Sequence, residues 1–187
     1  MDLKELLTLI TNVNNWTIDS ILSFLSIIIA IVGGIFAYKQ WRYSNKTKRA
    51  DFINQIISKL RFDKEMAETM NVIDYGNEWY NDKFHNQNNG LEKRMDNLLS
   101  YLSYICYLKK EKHIGKREFC IFEYEVNRVC SSPSVKCYLW NLYHFSSKQK
   151  ANCSFQYLID YGMKNKLIDK REFLKSESNV YGKKLNF

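Results

Sequence analysis

The hydrophobic pattern divides this chain into one unbroken apolar run and a series of periodic ones. Ile21–Ala37 reads ILSFLSIIIAIVGGIFA, seventeen residues without a charge and with two hydroxyls, Ser23 and Ser26. At about 1.5 Å of rise per residue the run covers roughly 25 Å as an α-helix, and a few flanking residues complete a bilayer crossing. The pattern predicts a transmembrane helix over 16–38. Upstream, Leu3, Leu6, Leu7, Ile10 and Val13 recur at helical spacing, so residues 1–15 read as a short amphipathic segment. It lies at the membrane surface or on a partner, or it is a frayed extension of the anchor. Asp2 and Glu5 beside Lys4 are unlike the positive n-region of a secretory signal, and no small-residue cleavage site follows the run. The anchor is therefore expected to be uncleaved.

The flanks carry the next signal. Trp16 precedes the run, and Tyr38, Trp41 and Tyr43 follow it; such amphipathic rings favour the headgroup zone. Lys39, Arg42, Lys46, Lys48 and Arg49 then come with no acidic residue before Asp51. With Trp41 they form a basic, lipid-facing juxtamembrane stalk over 39–50. Basic clusters resist translocation, so the expected topology is N-terminus out and C-terminal domain in the cytoplasm. Within the run, Ser26, Ala30 and Gly34 recur every four residues, and Gly33 and Ala37 repeat the spacing. Small residues on one stripe let two helices approach closely, so a homo-oligomer is expected. Gly and Ala are also common in membrane helices that make no such contact.

From residue 51 to about 170 the period is helical. Phe52, Ile53, Ile56, Ile57 and Leu60 mark one face; Met66, Met70, Ile73 and Trp79 mark the next. Asn86–Gly90 (NQNNG) has loop composition. Leu91–Lys112 carries the broadest apolar face, Met95, Leu98, Leu99, Leu102, Ile105, Cys106 and Leu108, as the central helix of a bundle would. His113-Ile114-Gly115 ends it, with Gly115 suited to the position just after a helix. Further helices carry Phe119, Phe122, Val126 and Val129; then Val135, Tyr138, Leu139, Leu142 and Tyr143 after a Ser132-Pro133 start; then Phe155, Leu158, Ile159 and Met163. Residues 171–187 read as a polar, frayed tail. One Pro and seven Gly in 187 residues agree with long helices and argue against a turn-rich β architecture. The expected fold is all-α: one N-terminal membrane helix, a basic stalk and a four- to five-helix cytoplasmic bundle.

Charge changes little. Residues 51–187 carry twenty-two Lys/Arg against seventeen Asp/Glu, too mild an excess for a nucleic-acid-coating tail. The cysteines, Cys106, Cys120, Cys130, Cys137 and Cys153, are odd in number and contain no C-x-x-C. On a cytoplasmic side they read as reduced thiols packed as small hydrophobes. Cys130, Cys137, His144 and Cys153 have spacings that fit no usual zinc pattern. Among the histidines, His85 falls in a loop and His113 in a charged turn, both expected to be solvated, and none of the three shares a frame with a nucleophile. Glu118 and Glu125 share a helix face near Glu123, which reads as a solvated face. Phosphate-loop, dinucleotide and zincin motifs are absent from the sequence. No cofactor or metal is therefore expected, and the chain reads as non-enzymatic.

One stretch has binding character. Lys109, Lys110, Lys112, Lys116 and Arg117 cluster around His113, and such a turn suits a phosphate-bearing ligand, an RNA or a lipid headgroup; it also reads as an exposed polar turn. The surrounding run Arg94–Tyr124, RMDNLLSYLSYICYLKKEKHIGKREFCIFEY, resembles a group of uncharacterised bacterial single-pass membrane proteins with a small cytoplasmic helical domain. There a helix of the LLNYLEYI kind precedes a charged turn and a helix opening with Glu-Phe, here Leu98–Ile105 and Glu118-Phe119. The resemblance implies no catalytic residues; it implies a mobile-element or defence context, which the Lys-, Asn-, Ile- and Tyr-rich composition matches. The expected function is a membrane-anchored protein whose helical domain binds a partner or signal in antiphage defence. The alternatives are a tethered binder of RNA or a nucleotide second messenger, and a hydrolase built on Glu118, Glu125 or His144.

Overall fold

The computed structural model describes residues 4, 17–76, 78–81, 84–86, 90–177 and 180–181. The amphipathic segment expected over 1–15, Lys4 apart, Trp16 and residues 182–187 lie outside the described residues. Among the described residues the regular structure is helical, with no strand. The elements are α1 (Ile18–Arg61), α2 (Lys64–Tyr75), a 3-10 turn (Phe84–Asn86), α3 (Leu91–Lys110), α4 (Lys116–Ser131), α5 (Pro133–Lys148), α6 (Gln156–Lys164) and α7 (Lys170–Phe173). Two compact units form, Met1–Phe52 and Ile53–Phe187, and α1 contributes residues to both.

From Ile18 onward the first unit is helix. Its apolar side chains from Ile21 to Phe36 are exposed on every face, Ile29 at 64% and Phe36 at 69%. Apolar surface of this extent is unfavourable in water. This helix is long and apolar enough to cross a membrane. The two hydroxyls of the apolar run Ile21–Ala37 leave no polar orphan: Ser23 donates to the Asp19 carbonyl at 2.8 Å and Ser26 to the Leu22 carbonyl at 2.9 Å. Helix continues without a break through Lys39–Arg49.

The second unit is built around α3. Met95, Leu98, Leu99, Leu102 and Ile105 are fully buried. Helix α3 meets α2, α4, α6 and the 3-10 turn. Phe119, Phe122, Val126 and Val129 bury one face of α4; Val135, Tyr138 and Leu139 bury one face of α5; Leu158 and Ile159 do the same in α6. Ile53, Ile56 and Leu60 from the end of α1 and Met66, Met70, Ile73 and Trp79 are buried too, as their spacing predicts. Polar ties fix the edges. Asp63 caps α2 by accepting from the Met66 amide, and Arg61 donates to Glu125 (2.8 Å) and to the Ile121 carbonyl (2.9 Å).

Two expectations are corrected. The stretch after residue 170 is not merely a polar tail: Phe173 is fully buried, Tyr181 is buried, and the Trp140 indole donates to the Lys175 carbonyl at 3.2 Å. A single Phe among charged neighbours gives no period, so the pattern missed it. Gly115 is not the residue that ends α3. It is the N-cap of α4, at φ −78°, while Lys112 takes the left-handed position at φ 60°. Lysine repeats this role at Lys150 (φ 54°) and Lys166 (φ 59°). In both, the paired bonds of a Schellman ending are present: Lys150 and Ala151 amides to the Ser147 and Ser146 carbonyls, and Lys166 and Leu167 amides to those of Met163 and Gly162.

Gly162 is needed for a different reason. A Cβ there would lie 2.6 Å from Ile168 Cδ1 and 2.9 Å from its Cγ1, and Ile168 is buried. Gly162→Ala is expected to destabilise the domain by about 1–3 kcal/mol through overpacking. Lys150→Gly is expected to stabilise it by up to about 1 kcal/mol by relieving the left-handed strain. Denaturant unfolding of both variants checks the opposite signs.

Candidate functional site

The basic turn predicted from sequence lies beside a groove between the C-terminal end of α3 and helix α6. The groove encloses about 450 Å³. Lys109, Lys110 and Lys112 line it from the α3 end, and Tyr157, Asp160, Tyr161, Lys164 and Asn165 from α6. Four ammonium groups thus face one carboxylate. A smaller neighbouring groove is lined by Lys109, Lys112, Lys116, Phe119 and Glu123, so Lys109 and Lys112 border both. The turn is therefore divided: Lys116 belongs to the smaller groove, and Arg117 and His113 line neither. The sequence missed the α6 half, because Tyr157, Lys164 and Asn165 lie some fifty residues away and meet Lys109 only through the packing of α6 on α3.

Lys109 is held in place. Its Nζ lies 3.6 Å from the Phe119 ring centre and 4.7 Å from that of Tyr161. Burial holds its pKa below the ordinary lysine range, opposed by the Glu123 carboxylate. Lys110 is already engaged, 3.4 Å from Asp160 and 5.0 Å from the Tyr157 ring. Lys112 and Lys164 are exposed and make no ion pair among the described residues. Tyr161 donates to Asn127 at 2.8 Å, which anchors the groove floor to α4. Cys106 also borders the groove, but burial pushes its thiol well above the usual range, so it is not a thiolate nucleophile there.

The other candidates disperse. Glu118 accepts from the Gly115 amide at 2.5 Å, Glu125 pairs with Arg61, and Glu123 faces the Tyr161 hydroxyl at 3.5 Å. His144 Nε2 is 2.9 Å from the Phe173 carbonyl, and its ring packs 4.5 Å from Trp140. These four groups do not converge. Among the described residues no set of three His, Cys, Asp or Glu side chains could hold a metal. Cys106, Cys130 and Cys153 are buried, and burial pushes Cys130 up to about 12, whereas Cys120 is exposed rather than packed.

His85 corrects the expectation of a solvated loop. It is half-buried, 2.7 Å from Glu92, in an aromatic cluster with Tyr80, Phe84 and Tyr138. In that cluster the Tyr80 hydroxyl accepts from Asn141 at 3.0 Å, and Tyr138 donates to Asp96 at 2.5 Å. Burial raises the Asp96 pKa; the Tyr138 hydrogen bond opposes this, and Glu92 adds to it.

Comparison with protein families, with curated proteins and with solved structures gives no match. What the described residues define is a helical protein with one long apolar helix and a basic, tyrosine-walled groove.

A raised carboxyl pKa makes the folded state bind more protons than the unfolded state between the ordinary value and the raised one. Asp96 therefore lowers stability progressively as pH rises through that window. Asp96→Asn keeps an acceptor for Tyr138 and removes the charge. The stability of this variant relative to the parent is expected to increase with pH across the acid range and then level off, measured by denaturant midpoints at successive pH values.

Proposed function

We propose that this chain is a non-enzymatic single-pass membrane protein of the bacterial inner membrane, with its N-terminus outside and its helical domain in the cytoplasm. The observation that carries the reading is the wholly exposed apolar stretch of α1, followed on the same helix by Lys39, Arg42, Lys46, Lys48 and Arg49. The apolar stretch is stable in lipid, and the basic cluster opposes translocation. Tyr38 and Trp41, 6.1 Å apart, and Arg42, 6.0 Å from the Tyr38 ring, form the amphipathic collar expected at a headgroup boundary.

The helical domain is read as the part that binds a partner or signal, in antiphage defence. The groove of lysines supports binding, and the dispersal of the acidic and histidine side chains supports a role without catalysis. The likeness of Arg94–Tyr124 to bacterial single-pass proteins supports the setting. Self-association of α1 completes the reading. An added Cβ at Gly33 or Gly34 would meet nothing within 4 Å, so the stripe with Ser26, Ala30 and Ala37 leaves room for a second helix.

The test has two arms. After alkaline carbonate extraction the full chain is expected in the membrane pellet, and a fluorescent protein fused after residue 187 is expected to fold and glow in the cytoplasm. Release into the supernatant, or a dark fusion that becomes active only as an exported reporter, overturns the anchor or its direction. In-membrane crosslinking is expected to give dimers or larger species that Gly34→Leu depletes severalfold. Unchanged monomer in both overturns self-association. Protection of the host against a phage panel, lost on deletion of residues 53–187, is the outcome the defence reading requires.

A further inference from the structure

We infer that the α3–α6 groove is a nucleotide site, in which Lys109, Lys112 and Lys164 hold phosphate and Tyr157 packs against the base. This rests on the reading that the helical domain binds a signal, and it specifies the chemistry of that signal.

Three features lead there. The first is the state of the cations. Lys109 is fixed by the Phe119 and Tyr161 rings, so its ammonium is ordered before any ligand arrives. Ordering a lysine on binding otherwise opposes affinity. Lys112 is fixed at its backbone: the left-handed turn at φ 60° is closed by its amide on the Lys109 carbonyl at 3.2 Å. Lys164 stands across the groove on α6. Three ammoniums around a half-enclosed space repel one another, and a bound phosphate relieves that repulsion. Asp160 does not do so for all three, because it is engaged by Lys110 and by the Gln156 amide at 2.7 Å.

The second feature is aromatic. Tyr157 lines the groove half-buried, braced edge-on by Tyr107 with ring centres 5.0 Å apart. A braced ring offers a stacking surface that orders little on binding. The Asn165 side chain donates to the Tyr161 carbonyl at 2.9 Å and so keeps its amide oxygen available as an acceptor at the groove wall.

The third is size. A volume of about 450 Å³ lies within the range of small-ligand sites, roughly 300–1,000 Å³. Four lysines line this groove, Lys116 extends them only into the small neighbouring one, and Arg117 and His113 do not extend them as a track. A free nucleotide or a cyclic dinucleotide fits this arrangement better than a running nucleic-acid strand does.

The full chain in detergent is titrated calorimetrically with the four ribonucleoside monophosphates, cyclic dinucleotides, inorganic phosphate, adenosine, and oligoadenylates of increasing length. At least one nucleotide is expected to bind with sub-millimolar Kd, about tenfold or more tighter than phosphate or adenosine. Lys112→Glu and Lys164→Glu are each expected to weaken it about tenfold or more, and Lys148→Glu on α5 to leave it unchanged. Tyr157→Leu is expected to weaken nucleotide binding and spare phosphate binding. Circular dichroism establishes that each variant is folded. No nucleotide binding, equal loss with Lys148→Glu, or affinity that climbs with oligoadenylate length overturns the inference; the last outcome makes the groove an RNA surface. Failure here with a protein partner still co-purifying on the helical domain leaves the binding role standing without the nucleotide.

Discussion

The helical domain depends on removing one face of α3 from water. Met95, Leu98, Leu99, Leu102 and Ile105 are wholly desolvated, and each such side chain contributes about 1.5–3 kcal/mol when fully buried. No single neighbour covers a face that wide. Helices α2, α4 and α6 and the 3-10 turn each take part of it. The register of every one of them is set by what it must cover. The close approach at Gly162 follows from the same demand, since α6 can lie tight against the Ile168 return only where a side chain is missing.

Burial of that face also creates the groove. The C-terminal end of α3 carries Lys109, Lys110 and Lys112, and α6 brings its own Tyr157, Lys164 and Asn165 to the same edge when it covers the core. Lys109 then finds the Phe119 and Tyr161 rings beneath it, and an otherwise solvated side chain becomes a positioned one. The binding edge is thus a by-product of core packing, reached by residues far apart in sequence. Apolar α1 is a separate matter. From Ile21 to Phe36 its apolar side chains are exposed among the described residues, and Ser23 and Ser26 satisfy their hydroxyls within the helix. That is the state a lipid-facing helix requires.

Small residues and turn chemistry account for the places where pattern reading went astray. With seven glycines in the chain, the left-handed positions that close α3, α5 and α6 fall to lysines, so a rule that looks for glycine misplaced the end of α3. Phe173 and Tyr181 dock without any period to announce them, because the residues between them are mostly polar and repeat no apolar spacing. Asparagine-rich neighbours give His85 the look of a solvated loop residue, yet long-range ring contacts with Tyr138 hold it half-buried.

By itself the sequence determined the helical class, the apolar run of α1 and most of the core positions. All three are carried by local periodicity, and burial enforces the same period in space. Ile53, Met66, Leu98, Phe122, Leu139 and Leu158 were each legible in this way. Tertiary structure alone decided which of the basic residues share a site. Lys109 and Lys112 meet Lys164 and Tyr157 across the α3–α6 contact, while Arg117, only five residues beyond Lys112, lines neither groove. Sequence proximity orders charges along a chain; only the packing of one helix on another sets the distance between them across space.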